Sequence, residues 1–259
     1  MAVHPTAIVD SAARIAETAE IGPYCIVGAE VEIGAGTRLM AHVYLEGPTS
    51  VGTDNLFYPY SSIGVASQDL KYKGERAETR IGSRNRIREF VTIHRGTQGG
   101  GLVTRIGDDN LIMAYAHVAH DVQIGNHVIL VNGVTLGCHV IVGDWVEVSA
   151  FTGIHQFCRI GRHAIIGGYS VVVQDVMPFS NTVSERPIRV FGANKIGLER
   201  RGFPKERIEA LQTAIRLLTR AQLNTTQAVE RIRTEVPHCA EVEELLEFIS
   251  SSERGVIKG

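Results

Sequence analysis

The 259-residue sequence has no apolar run long enough to span a bilayer. Its start, Met1-Ala2-Val3-His4-Pro5, has neither a basic region nor an apolar stretch, so no secretory leader and no membrane insertion are expected. No sign of charge dominates either. The 26 Lys and Arg stand against 28 Asp and Glu for a net charge of −2, so no bulk attraction to nucleic acid or to a membrane surface is expected. Cysteine is scarce: Cys25, Cys138, Cys158 and Cys239 form no Cys-x-x-Cys pair. Cys25 and Cys158 fall on small-residue positions of the repeat described next, which points to reduced, buried thiols and a cytoplasmic home.

What the chain has is a period of six. Val9, Ile15, Ile21, Val27, Ile33, Leu39, Leu45, Val51, Phe57 and Ile63 hold one phase, then Ile81, Ile87 and Ile93, then an unbroken series from Ile106 through Ile112, Val118 and Ile124 to Val172. Neither an α-helix nor an ordinary strand repeats every six residues. A backbone that turns a corner every six residues, with one aliphatic inward each time, does. Two residues before the aliphatic the side chains are small or slim, as at Ala19, Cys25, Thr37, Ala116, Val134 and Ala164, which suits the corners of a narrow prism. Gly commonly follows the aliphatic (Gly22, Gly28, Gly34, Gly64, Gly107), where a corner is expected to need φ > 0. Each buried aliphatic contributes roughly 1.5–3 kcal/mol. The pattern predicts a parallel β-helix of hexapeptide repeats over residues 1–190, followed by a C-terminal α-helical domain over 191–259.

The rhythm stops after Val172, and residues 173–194 read as a connecting segment. From Pro204 the period becomes helical, with Ile208, Leu211, Ile215 and Leu218 on one face. A second helix is predicted over Gln227–Glu235 and a third is marked by Val242, Leu245, Leu246 and Ile249. The tail after Ser250 reads as frayed. Two insertions, 64–80 and 94–105, break the hexads, and loops that leave a rigid scaffold tend to carry binding groups. Gln68, Asp69 and Lys71 in the first are candidates, with a solvated loop tip as the bland alternative.

One coil is three hexads, so residues eighteen apart fall on one face about 4.8 Å from each other. His120, Cys138 and Gln156 form one column, and Asp121, His139 and Phe157 the next; His117 and His155 lie close by. Three readings stand for this cluster: packing or solvated histidines, a zinc site, and general-base catalysis. In the third, a neutral imidazole takes a proton from a substrate hydroxyl, Asp121 orients His120, and the backbone N–H of Cys138 receives an oxyanion. The spacing His117-x-x-His120 differs from the His-x4-His expected of the zinc-dependent, hexapeptide-repeat carbonic anhydrases, and no metal is expected.

Gln68-Asp69-Leu70-Lys71-Tyr72, Thr92-Ile93-His94-Arg95-Gly96-Thr97, Ala116-His117-Val118-Ala119-His120-Asp121, Ile154-His155-Gln156-Phe157 and Arg200-Arg201-Gly202-Phe203 occur in this order. Together they resemble the signatures of the acyl-carrier-protein:UDP-N-acetylglucosamine O-acyltransferase family, over nearly the whole length. The resemblance implies a left-handed coil, an exception to the usual right-handed crossover, and a homotrimer with sites between subunits. It implies an enzyme of the first step of lipid A biosynthesis in the cytoplasm of a Gram-negative bacterium, with no resident cofactor. The donor would be an (R)-3-hydroxyacyl group on the phosphopantetheine of acyl carrier protein, and the acceptor the glucosamine 3-hydroxyl of UDP-N-acetylglucosamine. By resemblance His120 is the general base and Asp121 its partner. Asp69, Lys71, His117, His139, His155 and Gln156 contact sugar, acyl chain or pantetheine; Asn194, Arg200 and Arg201 meet the nucleotide end, where guanidinium groups suit a diphosphate. Gly168 stands where the family stops the far end of the acyl chain, so an open groove and a long chain near 3-hydroxymyristoyl are expected.

The chain departs from that pattern at three places. Cys138 stands where Gly is expected, Ser184-Glu185-Arg186 where Gly-Asn-His is common, and Ile196 where an acidic residue is expected. Another hexapeptide acyltransferase, one that acylates a glucosamine amine, would keep the prism and the catalytic His. It would usually add an N-terminal domain, whereas Val9 already sits in the repeat. The loop with Gln68, Asp69 and Lys71 lies some three coils from His120 along the axis, so a neighbouring subunit is expected to bring the two together.

Overall fold

Short strands, most of them two residues long, alternate with tight turns and fall in rotation, as far as Val171–Val172, onto three sheets of eleven, nine and eight strands among the described residues. The computed structural model describes residues 2–185 and 187–258. The first sheet takes Ala2–Val3, Glu20–Ile21 and Arg38–Leu39; the second Ile8–Val9, Ile26–Val27 and Tyr44–Leu45; the third Arg14–Ile15, Val31–Ile33 and Thr49–Val51. Pairing within the coil is parallel, with partners eighteen residues apart as in Ala2↔Glu20. The separation widens to thirty across the first insertion (Ser62↔Thr92) and to twenty-five across the second (Arg80↔Arg105), then returns to eighteen. The insertions therefore loop out without disturbing the stack. The coil is left-handed, as the resemblance implied.

The hexad aliphatics fill the prism. Ile63, Ile93, Val118 and Leu136 are completely buried, as are Ala116, Val134 and Ala164 at the small corner positions. The expectation about glycine is corrected. Of the glycines named after an aliphatic, only Gly64 has positive φ. Gly22, Gly34 and Gly107 are instead required by close approach between coils: a Cβ on Gly22 would lie 1.4 Å from the Met40 carbonyl oxygen, and one on Gly107 would lie 2.5 Å from that of Gly125. The left-handed corner conformation is instead taken by large residues such as Tyr24, Tyr60, Phe90 and Tyr115. Their rings stack on those of neighbouring coils, as in Phe90–Tyr115 at 4.9 Å, and ring stacking offsets the cost of an αL backbone for a non-glycine residue.

The segment after the hexads is not a plain connection. Ser180–Val183 pairs in parallel with Ile165–Ile166, then antiparallel with Arg189–Ala193. The second strand of this hairpin runs across residues 190 and 191, where the division into two domains was expected. Of the departing tripeptide Ser184-Glu185-Arg186, Arg186 lies outside the described residues.

Four helices follow: α1 (Lys195–Arg200), α2 (Lys205–Arg220), α3 (Thr225–Glu235) and α4 (Ala240–Ser250). Helix α1 has no counterpart in the sequence reading. Helix α2 starts after Pro204 and buries Ile208, Leu211, Ile215 and Leu218 as the periodicity requires. Helix α3 starts two residues before the expected Gln227, because Asn224 caps it and the Gln227 side chain returns a bond to the Asn224 N–H. The tail is tied down rather than frayed. Ile257 N–H donates to the Asp175 carbonyl at 2.9 Å, Ser252 Oγ to the Asp175 carboxylate at 2.8 Å, and Val256 and Ile257 are buried.

Candidate active site

Both insertions lie over one corner of the prism, where the second sheet turns into the third. His117 is the outward residue of the strand His117–Val118 in the second sheet; His120 and Asp121 form the turn that follows it. Asp121 has φ +62°, an αL corner residue whose carboxylate folds back over its neighbour. His120 Nδ1 lies 2.7 Å from Asp121 Oδ2, and both residues are buried. An ionised carboxylate accepts only, so this contact selects the tautomer with the proton on Nδ1 and leaves the Nε2 lone pair free.

The second insertion holds Asp121 from behind. Thr97 N–H donates to Oδ1 at 2.9 Å, and Thr97 Oγ1 donates to Oδ2 at 2.6 Å. Gly100 packs directly on the carboxylate: a Cβ there would fall 2.0 Å from Asp121 Cγ. The run Gly99-Gly100-Gly101 thus allows the loop to lie flat on the acid. Arg95 anchors the base of the loop, donating to the Gly64 carbonyl at 2.8 Å and to Glu46 at 2.6 Å. Glu75 of the first insertion accepts from Gln98 N–H of the second at 3.1 Å, so the two loops close on each other.

A cleft of about 700 Å³ opens in front of His120. Gln68, Asp69 and Lys71 form one wall; His117, Cys138 and Gln156 line the prism side, with His94, Ala119 and Thr135 beside them. Asp69 Oδ2 is 3.9 Å from His120 Nε2. The expectation that another subunit must bring the loop to His120 is therefore corrected. The first insertion runs along the axis far enough to reach its own chain's histidine, which coil counting cannot register.

Burial lowers three neighbouring histidines, His94, His117 and His139, which favours their neutral form. Desolvation lowers His117, whose Nδ1 lies 2.7 Å from Thr92 Oγ1. Burial, with His117 and His120 nearby, pushes His94 down to about 4. His139 is lowered by burial against the opposing pull of Asp121, and meets His120 edge-on at 5.3 Å. It lines an adjoining cleft of about 990 Å³ with Phe157 and the tips of both insertions. Burial pushes the Cys138 thiol up, so it is not a thiolate nucleophile. Gly137 N–H donates to the Ile154 carbonyl and His139 N–H to that of His120. Between them, Cys138 N–H has no carbonyl partner among the described residues.

His120, Asp121 and His139 each offer one ligand atom within 4.8 Å of the others. Both Asp121 oxygens, however, are engaged by Thr97 and His120, which suits orientation of an imidazole better than cation binding.

Three groups of expected residues lie elsewhere on the chain. His155 is exposed, with Nδ1 3.3 Å from an Arg254 Nη, and is not in either cleft wall. Gly168 sits on the turn between the first and second sheets, across the second sheet from His120, with space for a Cβ only 3.2 Å from the Ala150 carbonyl oxygen. Asn194, Arg200 and Arg201 line a separate cleft of about 540 Å³ with Ile196 and Glu147. There Asn194 caps α1 through Gly197 N–H, and the Arg201 guanidinium lies over Trp145 at 5.2 Å. Thr97, His94 and Arg95 were absent from the sequence-derived candidates. The residues Thr92–Thr97 carried part of the family resemblance, but nothing in the hexad spacing points to them.

Residues 175–257 match the family described as UDP N-acetylglucosamine O-acyltransferase, domain 2. Residues 104–138 match bacterial transferase hexapeptide repeats. The chain is 46% identical over 256 residues to the acyl-[acyl-carrier-protein]–UDP-N-acetylglucosamine O-acyltransferase of Thermodesulfovibrio yellowstonii, covering 99% of each chain. To the protein of that name in Stenotrophomonas maltophilia it is 45% identical, covering 99% of this chain and 97% of that one. A solved UDP-N-acetylglucosamine acyltransferase from Bacteroides fragilis superposes with a TM-score of 0.97 at 38% identity, covering 99% of this chain and all of the other.

Proposed function

The chain belongs to the acyl-[acyl-carrier-protein]–UDP-N-acetylglucosamine O-acyltransferase family, and from that premise we propose how its own residues carry out the transfer. The substrates are an (R)-3-hydroxyacyl thioester of acyl carrier protein and UDP-N-acetylglucosamine, and the product enters lipid A biosynthesis. The observation that carries the reading is the Asp121–His120 pair, 2.7 Å apart and buried, with the imidazole opening on a cleft walled by Asp69 and Lys71.

His120 Nε2 takes the proton of the glucosamine 3-hydroxyl as its oxygen attacks the thioester carbonyl. Asp121 accepts from Nδ1–H throughout and stabilises the imidazolium that forms. The Cys138 amide, which donates to no carbonyl among the described residues, receives the oxyanion of the tetrahedral intermediate, a role that needs backbone N–H and so tolerates Cys in place of Gly. The C–S bond then breaks, and His120 returns its proton to the departing pantetheine thiolate. Gln68, Asp69, Lys71, His117 and Gln156 hold sugar and acyl groups within the cleft, and His139 lines the adjoining space. No resident cofactor enters this sequence.

Asn194, Arg200 and Arg201 are assigned to the nucleotide end. Because their cleft is separate from that of His120 in one chain, this assignment requires a neighbouring subunit, and we propose a homotrimer. The outward residues of the second sheet support it. From Ile8, Ile26 and Tyr44 to Thr135, Gly153 and Val171 none is charged, whereas the first sheet carries Glu20, Arg38 and Arg86 and the third Arg14, Glu32 and Arg80. Gly168, on the edge of that uncharged face, is the proposed end of the acyl groove, which favours a chain close to 3-hydroxymyristoyl. No helix among the described residues is long and apolar enough to cross a membrane. The free, buried thiols Cys25 and Cys158 support a cytoplasmic location.

The test is acyl transfer by purified protein, with acyl carrier protein loaded at ten to sixteen carbons and UDP-N-acetylglucosamine as acceptor. Transfer to the 3-hydroxyl with an optimum near fourteen carbons is expected. No product at any length, or product only with a 3-amino acceptor, overturns the reading.

A further inference from the structure

We propose that Thr97 is a positioning residue for the reaction, acting through Asp121, and that the glycine-rich loop after it is shaped to keep that contact. The inference rests on the reading of His120 as general base. Thr97 is buried and spends both its hydrogen-bond donors on a single carboxylate, its N–H on Oδ1 and its hydroxyl on Oδ2. Asp121 N–H is fixed in turn by Thr104 Oγ1 at 2.8 Å. The carboxylate is thus gripped at both oxygens and at its own backbone, which leaves Oδ2 in one place for His120 Nδ1–H.

That grip matters because Asp121 occupies an αL corner, and a free side chain there could rotate toward His139, whose Nδ1 is 4.0 Å from Oδ2. An Asp121 turned to His139 would leave His120 Nδ1 without its acceptor, and the imidazole would lose both tautomer and orientation. Thr97 Oγ1 lies 3.5 Å from His120 Nδ1 but has its proton committed to Asp121 at the shorter 2.6 Å, so it holds the acid and does not itself contact substrate. Gly100 is the second part of the device. With no side chain it seals the far side of the carboxylate, and any Cβ would displace the acid. Thr97 is twenty-four residues from Asp121, a separation that no count of coils relates to the catalytic column.

The experiment compares wild type with Thr97→Val, Thr97→Ser and Gly100→Ala, measuring kcat, KM for both substrates, and thermal unfolding. Val keeps the shape and the backbone donor and removes the hydroxyl. Thr97→Val is expected to lower kcat roughly tenfold with either KM unchanged within about twofold, since positioning acts on the transition state. Thr97→Ser should restore most of the rate, and Gly100→Ala should lose at least as much as Thr97→Val. A Thr97→Val kcat equal to wild type overturns the inference, as does a Ser variant no better than Val, or a loss confined to KM. If Thr97→Val does not fold, the Ser and Gly100→Ala arms decide: a Gly100→Ala protein that is folded and fully active sinks the proposal. Absence of transfer by wild type would instead reject the general-base reading on which it stands.

Discussion

At the scale of single residues, the proposed chemistry rests on an imidazole whose donor nitrogen, Nδ1–H, is fixed by Asp121 and whose acceptor nitrogen is free. The glucosamine hydroxyl is too weakly acidic to attack a thioester without a base, so His120→Ala is expected to lower kcat by about 10²–10⁴. A steady-state assay on a variant with unchanged unfolding temperature measures this, and retention of more than a tenth of the rate would be inconsistent with the mechanism. Burial of other histidines has a separate consequence for stability. His94 and His163 are both pushed down to about 4, chiefly by desolvation, with His117 and His120 beside the first and Arg162 and Arg201 beside the second adding to it. Unfolded, each takes up a proton near pH 6.5, which the folded chain refuses until about 4. Their contribution is therefore intact above about pH 6.5 and is lost as pH falls toward 4. His163 packs between Trp145, Phe179 and Phe203 with Nδ1 unpaired. His163→Phe should therefore lose less stability than the parent between pH 7 and about 4.5 in urea unfolding. Equal losses would place the acid sensitivity elsewhere.

At the scale of elements, the tail after α4 behaves as a clamp on the last coil. Val256 and Ile257 are buried, Asp175 pairs with the tail through backbone and side chain, and Val190 N–H donates to the Lys258 carbonyl at 2.9 Å. Burial of two aliphatics contributes about 3–6 kcal/mol. Deleting residues 252–259 should lower the unfolding temperature by more than 5 °C, on the order expected for losing ~2 kcal/mol or more, and chemical or thermal melts check it. An unchanged melt would mean the clamp carries no load. Nothing in the sequence announced this clamp, because its partner Asp175 lies some eighty residues upstream and neither segment is periodic. The coil was legible for the opposite reason. Each hexad restates the same inward aliphatic, so Ile21, Leu39 and Phe57 locate one another by arithmetic alone, and the column of His120, Cys138 and Gln156 follows. The same arithmetic fails inside the insertions. Asp69 was assigned to the substrate but placed three coils from His120, since a loop that leaves the register can travel along the axis. Thr97 and Gly100 went unseen because their role depends on the αL turn that sends the Asp121 carboxylate backward.

At the scale of the whole molecule, the chain presents two separate clefts. The His120 cleft lies where the second sheet turns into the third, and the Arg200–Arg201 cleft lies against the first sheet and α1. With Asp69 and His120 in one chain's cleft, defects in those two residues cannot complement each other across subunits. A pair drawn from the two clefts can. In the proposed trimer each complete site takes His120 from one subunit and Arg201 from its neighbour, a heterologous arrangement that closes as a ring. His120→Ala and Arg201→Ala chains, each inactive alone, should regain activity when co-expressed and purified as mixed oligomers. With random assembly at equal dose, about a quarter of sites receive both intact groups, which sets the expected rate against wild type. A His120→Ala and Asp69→Ala mixture prepared in the same way should remain inactive, because each chain carries its defect into the same cleft. Recovery in the second mixture and not in the first would reverse the assignment of clefts to subunits. No recovery in either, with trimers verified by mass, would place the whole site within one chain.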